Sequence, residues 1–150
     1  MKYDEAPDSI YELYSKLRSQ YFPHLANAKV LLLVNKKKML HKGDIFLGKI
    51  VKPNELAKFL SRNEAPADGY DYIILLDGKL IQHCEPSDME RVLRHELRHT
   101  FFDPESKSPY KLIDHDFNDF YDEVEINKDD PTWSKRVSQT VSLIYHQEQD

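Results

Sequence analysis

Apolar positions recur along this chain with two different spacings. Ile10, Leu13, Tyr14, Leu17 and Tyr21 fall at intervals of three and four, which predicts an amphipathic helix from about Asp8 to Tyr21, ended by Pro23. Lys29-Val30-Leu31-Leu32-Leu33-Val34 is instead a continuous apolar run of strand length, the pattern of a central strand buried on both faces. After a lysine-rich turn and Gly43, Ile45-Phe46-Leu47-Gly48-Lys49-Ile50-Val51 predicts a second strand, stopped by Pro53. Asn54 can cap a short helix from Glu55 to Leu60, with Leu56, Phe59 and Leu60 expected to face inward. Turn residues Pro66, Asp68 and Gly69 reverse the chain into a third strand, Tyr70 to Leu76. Asp77-Gly78 then predicts a hairpin or tight turn towards Lys79-Leu80-Ile81.

The second half reads as helical. Ser87 with Glu90 three residues on forms a capping-box pattern, opening a helix that extends to about Phe101. Met89, Val92, Leu93, Leu97 and Thr100 make its core stripe. Arg91, Arg94 and Arg98 gather on roughly the opposite side, and His95 and His99 fall at the border. The polar loop Asp103 to Pro109 leads to a predicted helix from about Asp114 to Ile126. Asp130-Pro131 then starts a last helix whose Trp133, Val137, Val141 and Ile144 share a face, with fraying expected from Gln147. No repeat or linker divides the pattern, so residues 1–150 are expected to form a single domain of mixed helices and strands.

Composition narrows the class. With 40% apolar residues beside 31% charged ones, the chain can fill a core while keeping a solvated surface, which excludes a disordered segment. Cys84 stands alone, so no internal disulfide and no zinc ribbon can form, as expected for a reducing compartment. Met1-Lys2-Tyr3-Asp4-Glu5 does not resemble a signal peptide, and no apolar run reaches membrane-spanning length, so the expectation is a cytoplasmic protein with no membrane partner. A net charge of −5 argues against a nucleic-acid partner, and Lys36-Lys37-Lys38 reads as a solvated turn.

The chemistry lies on the predicted central helix. Two histidines four residues apart lie one above the other on a helix, so His95 and His99 can converge on one tetrahedral cation. Glu96 is rotated by about 100° from His95, which places its carboxylate beside the metal, where it can hold an activated water. Catalytic zinc needs a third protein ligand. His115 is the first candidate and Glu123 the second, with Asp116 and Asp119 as acceptors that could orient an imidazole through its other nitrogen. Phe102 and Glu105 stand where an extended metzincin motif would need Gly and His, which excludes that class. Tyr110 and Tyr121 are candidate hydrogen-bond donors to an oxyanion. His24, His41 and His146 have no partner at ligand spacing and read as surface residues, while His83 and Cys84 read as structural.

Four runs in order carry a family resemblance: Ile45 to Val51, the strand Asp71-Tyr72-Ile73-Ile74-Leu75-Leu76, His95-Glu96-Leu97-Arg98-His99, and His115-Asp116-Phe117-Asn118-Asp119-Phe120. Over roughly residues 28 to 135 they resemble the phage metallopeptidase domain, a compact zincin-like group. The resemblance implies an α+β fold, with a small mixed sheet packed against the His-Glu-x-x-His helix and flanking helices. It also implies that the strand before that helix aligns an extended peptide, and that His115 is the third ligand.

The expected activity is Zn²⁺-dependent peptide hydrolysis, with His95, His99 and His115 as metal ligands and Glu96 as general base on a protein or peptide substrate. The alternative is a non-catalytic metal-binding protein that uses a peptidase-like fold to bind or inhibit a host or regulatory protein. A third reading makes the metal structural, with four protein ligands.

Overall fold

The fold comes from a computed structural model that describes residues 1–63, 69–115 and 119–149. Among them the mixed α+β class is observed. A four-stranded mixed sheet has the order β1 (Tyr3–Glu5), β2 (Val30–Asn35), β6 (Tyr72–Asp77), β5 (Gly48–Val51). The long apolar run forms β2, which pairs in parallel with β6 over its whole length, from Val30 opposite Tyr72 to Asn35 opposite Asp77. The outer strands β1 and β5 run antiparallel to their neighbours.

Leu32, Tyr72, Ile74 and Leu76 are fully buried, while Leu31, Leu33, Ile73 and Leu75 are half-buried. The helices therefore cover one face of the sheet more completely than the other, which corrects the expectation of burial on both faces. The core they share takes Ile10, Tyr14 and Leu17 from α1 (Asp8–Tyr21), and Val92, Leu93 and Leu97 from α4 (Pro86–Leu97). Val137 and Val141 enter it from α6 (Trp133–Gln149).

Several predicted elements change on folding. The apolar run from Ile45 splits at buried Leu47: β4 (Asp44–Phe46) turns back on β3 (Met39–His41), while β5 joins the sheet edge. The tight turn between β3 and β4 places Lys42 at φ 51° and Gly43 at φ 85°, the left-handed region where glycine costs least. Asn54 does cap α2 (Glu55–Leu60), its side chain accepting from the Ala57 N–H at 2.8 Å. Leu56, Phe59 and Leu60 are nevertheless exposed, because the core lies elsewhere.

Asp77-Gly78 opens a helix, α3 (Gly78–His83), and no hairpin. The Asp77 carboxylate accepts from the N–H groups of Lys79 and Leu80 at 2.8 and 3.0 Å, so its capping chemistry prevails over its turn chemistry. Tyr145 of α6 donates to the other carboxylate oxygen at 2.5 Å.

The helix that carries His95 and Glu96, α4, begins one residue before the expected start, at Pro86, whose fixed φ suits a first helical position; Glu85 precedes it and no side chain of the described residues caps it. It ends at Leu97, and Thr100 starts a hairpin of β7 (Thr100–Phe102) and β8 (Tyr110–Leu112). The helix expected from Asp114 is shorter: α5 spans Tyr121–Ile126. Expected turn residues Pro66 and Asp68 lie outside the described residues, as does Asp116. Among the described residues no helix is long and apolar enough to cross a membrane.

Candidate metal centre

His95 occupies the last turn of α4, whereas His99 stands just beyond its end. The turn between them keeps helical bonds, Arg98 N–H to Arg94 C=O at 3.0 Å and His99 N–H to Glu96 C=O at 3.1 Å, so the side chains still stack about one turn apart. The chain after β8 brings the third imidazole. Ile113 N–H donates to the His99 carbonyl at 2.7 Å and sets the course of the segment that delivers His115.

The three histidines meet, each offering a ring nitrogen within 4.8 Å of the others'. The rings of His95, His99 and His115 lie 5.4, 5.0 and 5.2 Å from the ring of Phe120, a buried apolar floor beneath all three. Sequence reasoning missed Phe120, since nothing in its spacing distinguishes a floor from an ordinary core residue.

Hydrogen bonding selects which nitrogens are available. His95 Nδ1 is 2.8 Å from Asp119 Oδ1, and His99 Nδ1 is 2.7 Å from the Ile113 carbonyl oxygen. Both partners are acceptors, so both Nδ1 atoms carry protons and the Nε2 lone pairs of neutral imidazoles turn inward. His95 Nε2 lies only 2.9 Å from His115 Nε2. Without a cation, one of these facing nitrogens must hold a proton for the other; a divalent ion would take its place. Three imidazoles oriented in this way, two of them by oxygen acceptors, fit the donor set of a transition-metal site with an open position.

The electrostatics follow the same division. Burial alone would lower the His95 pKa, but the bond to Asp119 and the nearby charge of Glu96 outweigh it and hold the imidazole above its ordinary value. Asp119 is itself partly buried, which would raise it, yet the His95 bond and the Phe120 N–H bring its carboxyl below the usual range. Burial and the two neighbouring imidazoles lower His115, which favours its neutral, metal-binding form.

Glu96 is 8% exposed, under the edge strand β5. Burial pushes its carboxyl up, and the charges of His95 and His99 and a bond from the Ile50 backbone N–H only partly offset this. Gly48 permits that close packing: a Cβ there would stand 3.1 Å from Glu96 Cγ and 3.1 Å from Val92 Cγ1. A cleft of about 440 Å³ opens over the centre, lined by Gly48, Lys49 and Ile50 on one side and Leu112, Ile113 and His115 on the other. Tyr110 and Tyr121 are not among its described lining residues; Tyr110 packs on Tyr72 and Phe102.

Three expectations need correction. Glu123 is no ligand candidate, because it is fully buried and its two oxygens accept from Arg94 Nε and Arg98 Nε, each at 2.8 Å. His24 is half-buried, with Nε2 at 2.8 Å from Thr100 Oγ1. The strand before α4 is β6, which lies inside the sheet between β2 and β5, so the edge beside the cleft belongs to β5.

The family model described as "Putative phage metallopeptidase" matches residues 1–145, and the chain belongs to that family. No curated protein and no solved structure matches.

Proposed function

We propose that this family member is a Zn²⁺-dependent peptidase. The observation that carries the reading is the convergence of His95, His99 and His115 in an open cleft, beside a buried carboxylate, that of Glu96, whose pKa burial raises. His95, His99 and His115 would hold the ion, and their nitrogen-only set with Asp119 behind His95 suits zinc better than a hard, oxygen-seeking cation. When bound, Zn²⁺ supplies a Lewis acid that polarises the scissile carbonyl and lowers the pKa of water.

Glu96 takes the proton of the attacking water on its carboxylate and delivers it to the leaving amine. Its raised pKa brings it nearer the operating pH, where both transfers are favourable. Asp119 keeps the Nδ1 proton of His95 in place and thereby its orientation. The outer edge of β5 can accept an extended peptide as an added strand along the cleft. The free, half-buried thiol of Cys84 is in keeping with a reducing, cytoplasmic setting.

The test is cleavage of a proteome-derived peptide library by zinc-loaded wild type and Glu96→Gln. Turnover should fall by about 10²–10⁴-fold with unchanged zinc content. Equal cleavage by both proteins removes Glu96 from the mechanism, and no cleavage by either returns the chain to the alternative of a binding protein.

A further inference from the structure

Beside the cleft lies a second, larger cavity of about 640 Å³, which shares Phe46, Gly48, His95 and Glu96 with it and continues towards α6. Its walls include the buried side chains of Leu47, Val92 and Trp133, together with Ser134 and Ser138 one turn apart on α6. At its rim stands Asp44, exposed on β4. The two cavities differ in charge: Lys49 accompanies Glu96 and Asp114 in the first, while the described residues lining the second include Asp44, Glu96 and Asp119 but no lysine or arginine.

We propose, on the basis of the peptidase reading above, that this second cavity seats a lysine or arginine side chain of the substrate close to the bond that is cut. A basic side chain matches the cavity along its length. Its methylene stem can lie against Leu47, Val92 and Trp133 while the cationic end reaches Asp44 at the wet rim, the arrangement long basic side chains adopt at apolar surfaces. An acidic side chain would meet Asp44 at the rim, with no lysine or arginine among the described lining residues to offset it. A purely apolar one would cover the two serines and Asp44 without replacing their hydration. The volume lies within the range of small-ligand pockets and leaves space for the side chain with ordered water.

The test uses one neutral peptide in which a single residue, moved position by position, is Lys, Glu or Leu. Binding is measured on zinc-loaded Glu96→Gln, and cleavage on wild type. At one position the Lys peptide should bind and be cut about five-fold better than the Leu peptide, the range of one exposed ion pair, with the Glu peptide weakest. Asp44→Asn should remove the preference and Asp44→Lys should invert it; both changes sit on an exposed side chain. A Lys preference in binding without cleavage would overturn the peptidase reading and leave the basic-side-chain site standing. Cleavage without a Lys preference, or with Leu preferred, would overturn the site and leave the peptidase; neither binding nor cleavage would overturn both.

Discussion

Two sides of the same short helix handle polar side chains in opposite ways. On one side, Arg94 of α4 is buried and Arg98, just past its end, mostly so, and both are held by protein groups. Glu123 accepts from both, Asn127 Oδ1 accepts from Arg94 at 2.5 Å, and Arg98 lies over the Phe22 ring at 4.9 Å. On the other side, His95 and His99 have one nitrogen each fixed by an acceptor and the other turned towards a second imidazole. The arginine side engages both oxygens of Glu123, and so it docks α5 on α4, although Arg91 Nε and Asn127 Nδ2 are buried there without a hydrogen-bond partner among the described residues. The histidine side is complete only when something positive stands between the rings. A buried carboxylate of this chain answers the charge of one side, whereas the facing imidazole nitrogens of the other are left to a proton or a cation.

The largest test of that contrast is Glu123→Ala. It leaves two largely buried guanidinium groups without their shared carboxylate and should cost about 3–5 kcal/mol in urea denaturation, with zinc stoichiometry retained by whatever protein remains folded. A loss under about 1 kcal/mol would mean that the network contributes little.

His99→Ala should do the reverse. Metal-free stability should change little, whereas the stabilisation that zinc confers on wild type, about 2.7 kcal/mol at a hundred-fold excess over Kd, should largely vanish in thermal melts. Chelation should likewise leave the wild-type fold intact; if it unfolds the chain, the metal is structural. Asp119→Asn probes the connection behind the site, and zinc affinity by competition titration should drop about 10–100-fold. Gly48→Ala presses a methyl group on Glu96 and Val92, for an expected stability cost of about 1 kcal/mol, with turnover reduced more than zinc affinity.

The smallest effect concerns pH. His95 has a raised folded pKa, so its contribution is present below the unfolded imidazole value and fades as pH rises through the folded one. Asp119 has a lowered folded pKa, so its contribution is present above the unfolded carboxylate value and is lost as pH falls through the folded one. Their pair should therefore favour the metal-free fold most between those limits, on the acid side of neutrality, and Asp119→Asn should flatten that maximum. Zinc competes with the ring protons, so the stabilisation it adds should grow as pH rises through the His95 value. Melting temperatures across pH, with and without zinc, check both slopes.

Much of this was legible along the chain wherever the cause is local. The apolar period of α1, the Asn54 cap and the continuous run of β2 each rest on neighbours within a few residues, and each element is observed. His95, Glu96 and His99 were legible for the same reason, since a turn of helix brings them together whatever surrounds it. Asp77 shows the limit: the same residue is a good turn former and a good helix cap, and tertiary packing, with Tyr145 reaching its second oxygen, accompanies the capped outcome.

The residues themselves determined the helix that carries His95 and Glu96, the α+β class and the family, because spacing and side-chain chemistry are properties of the chain. Tertiary structure alone decided that Glu123 neutralises arginines, that Phe120 underlies the imidazoles, and that β5 rather than β6 supplies the edge of the cleft. Those outcomes depend on which distant segments meet, and contacts between residues far apart in sequence leave no periodic trace in the order of amino acids.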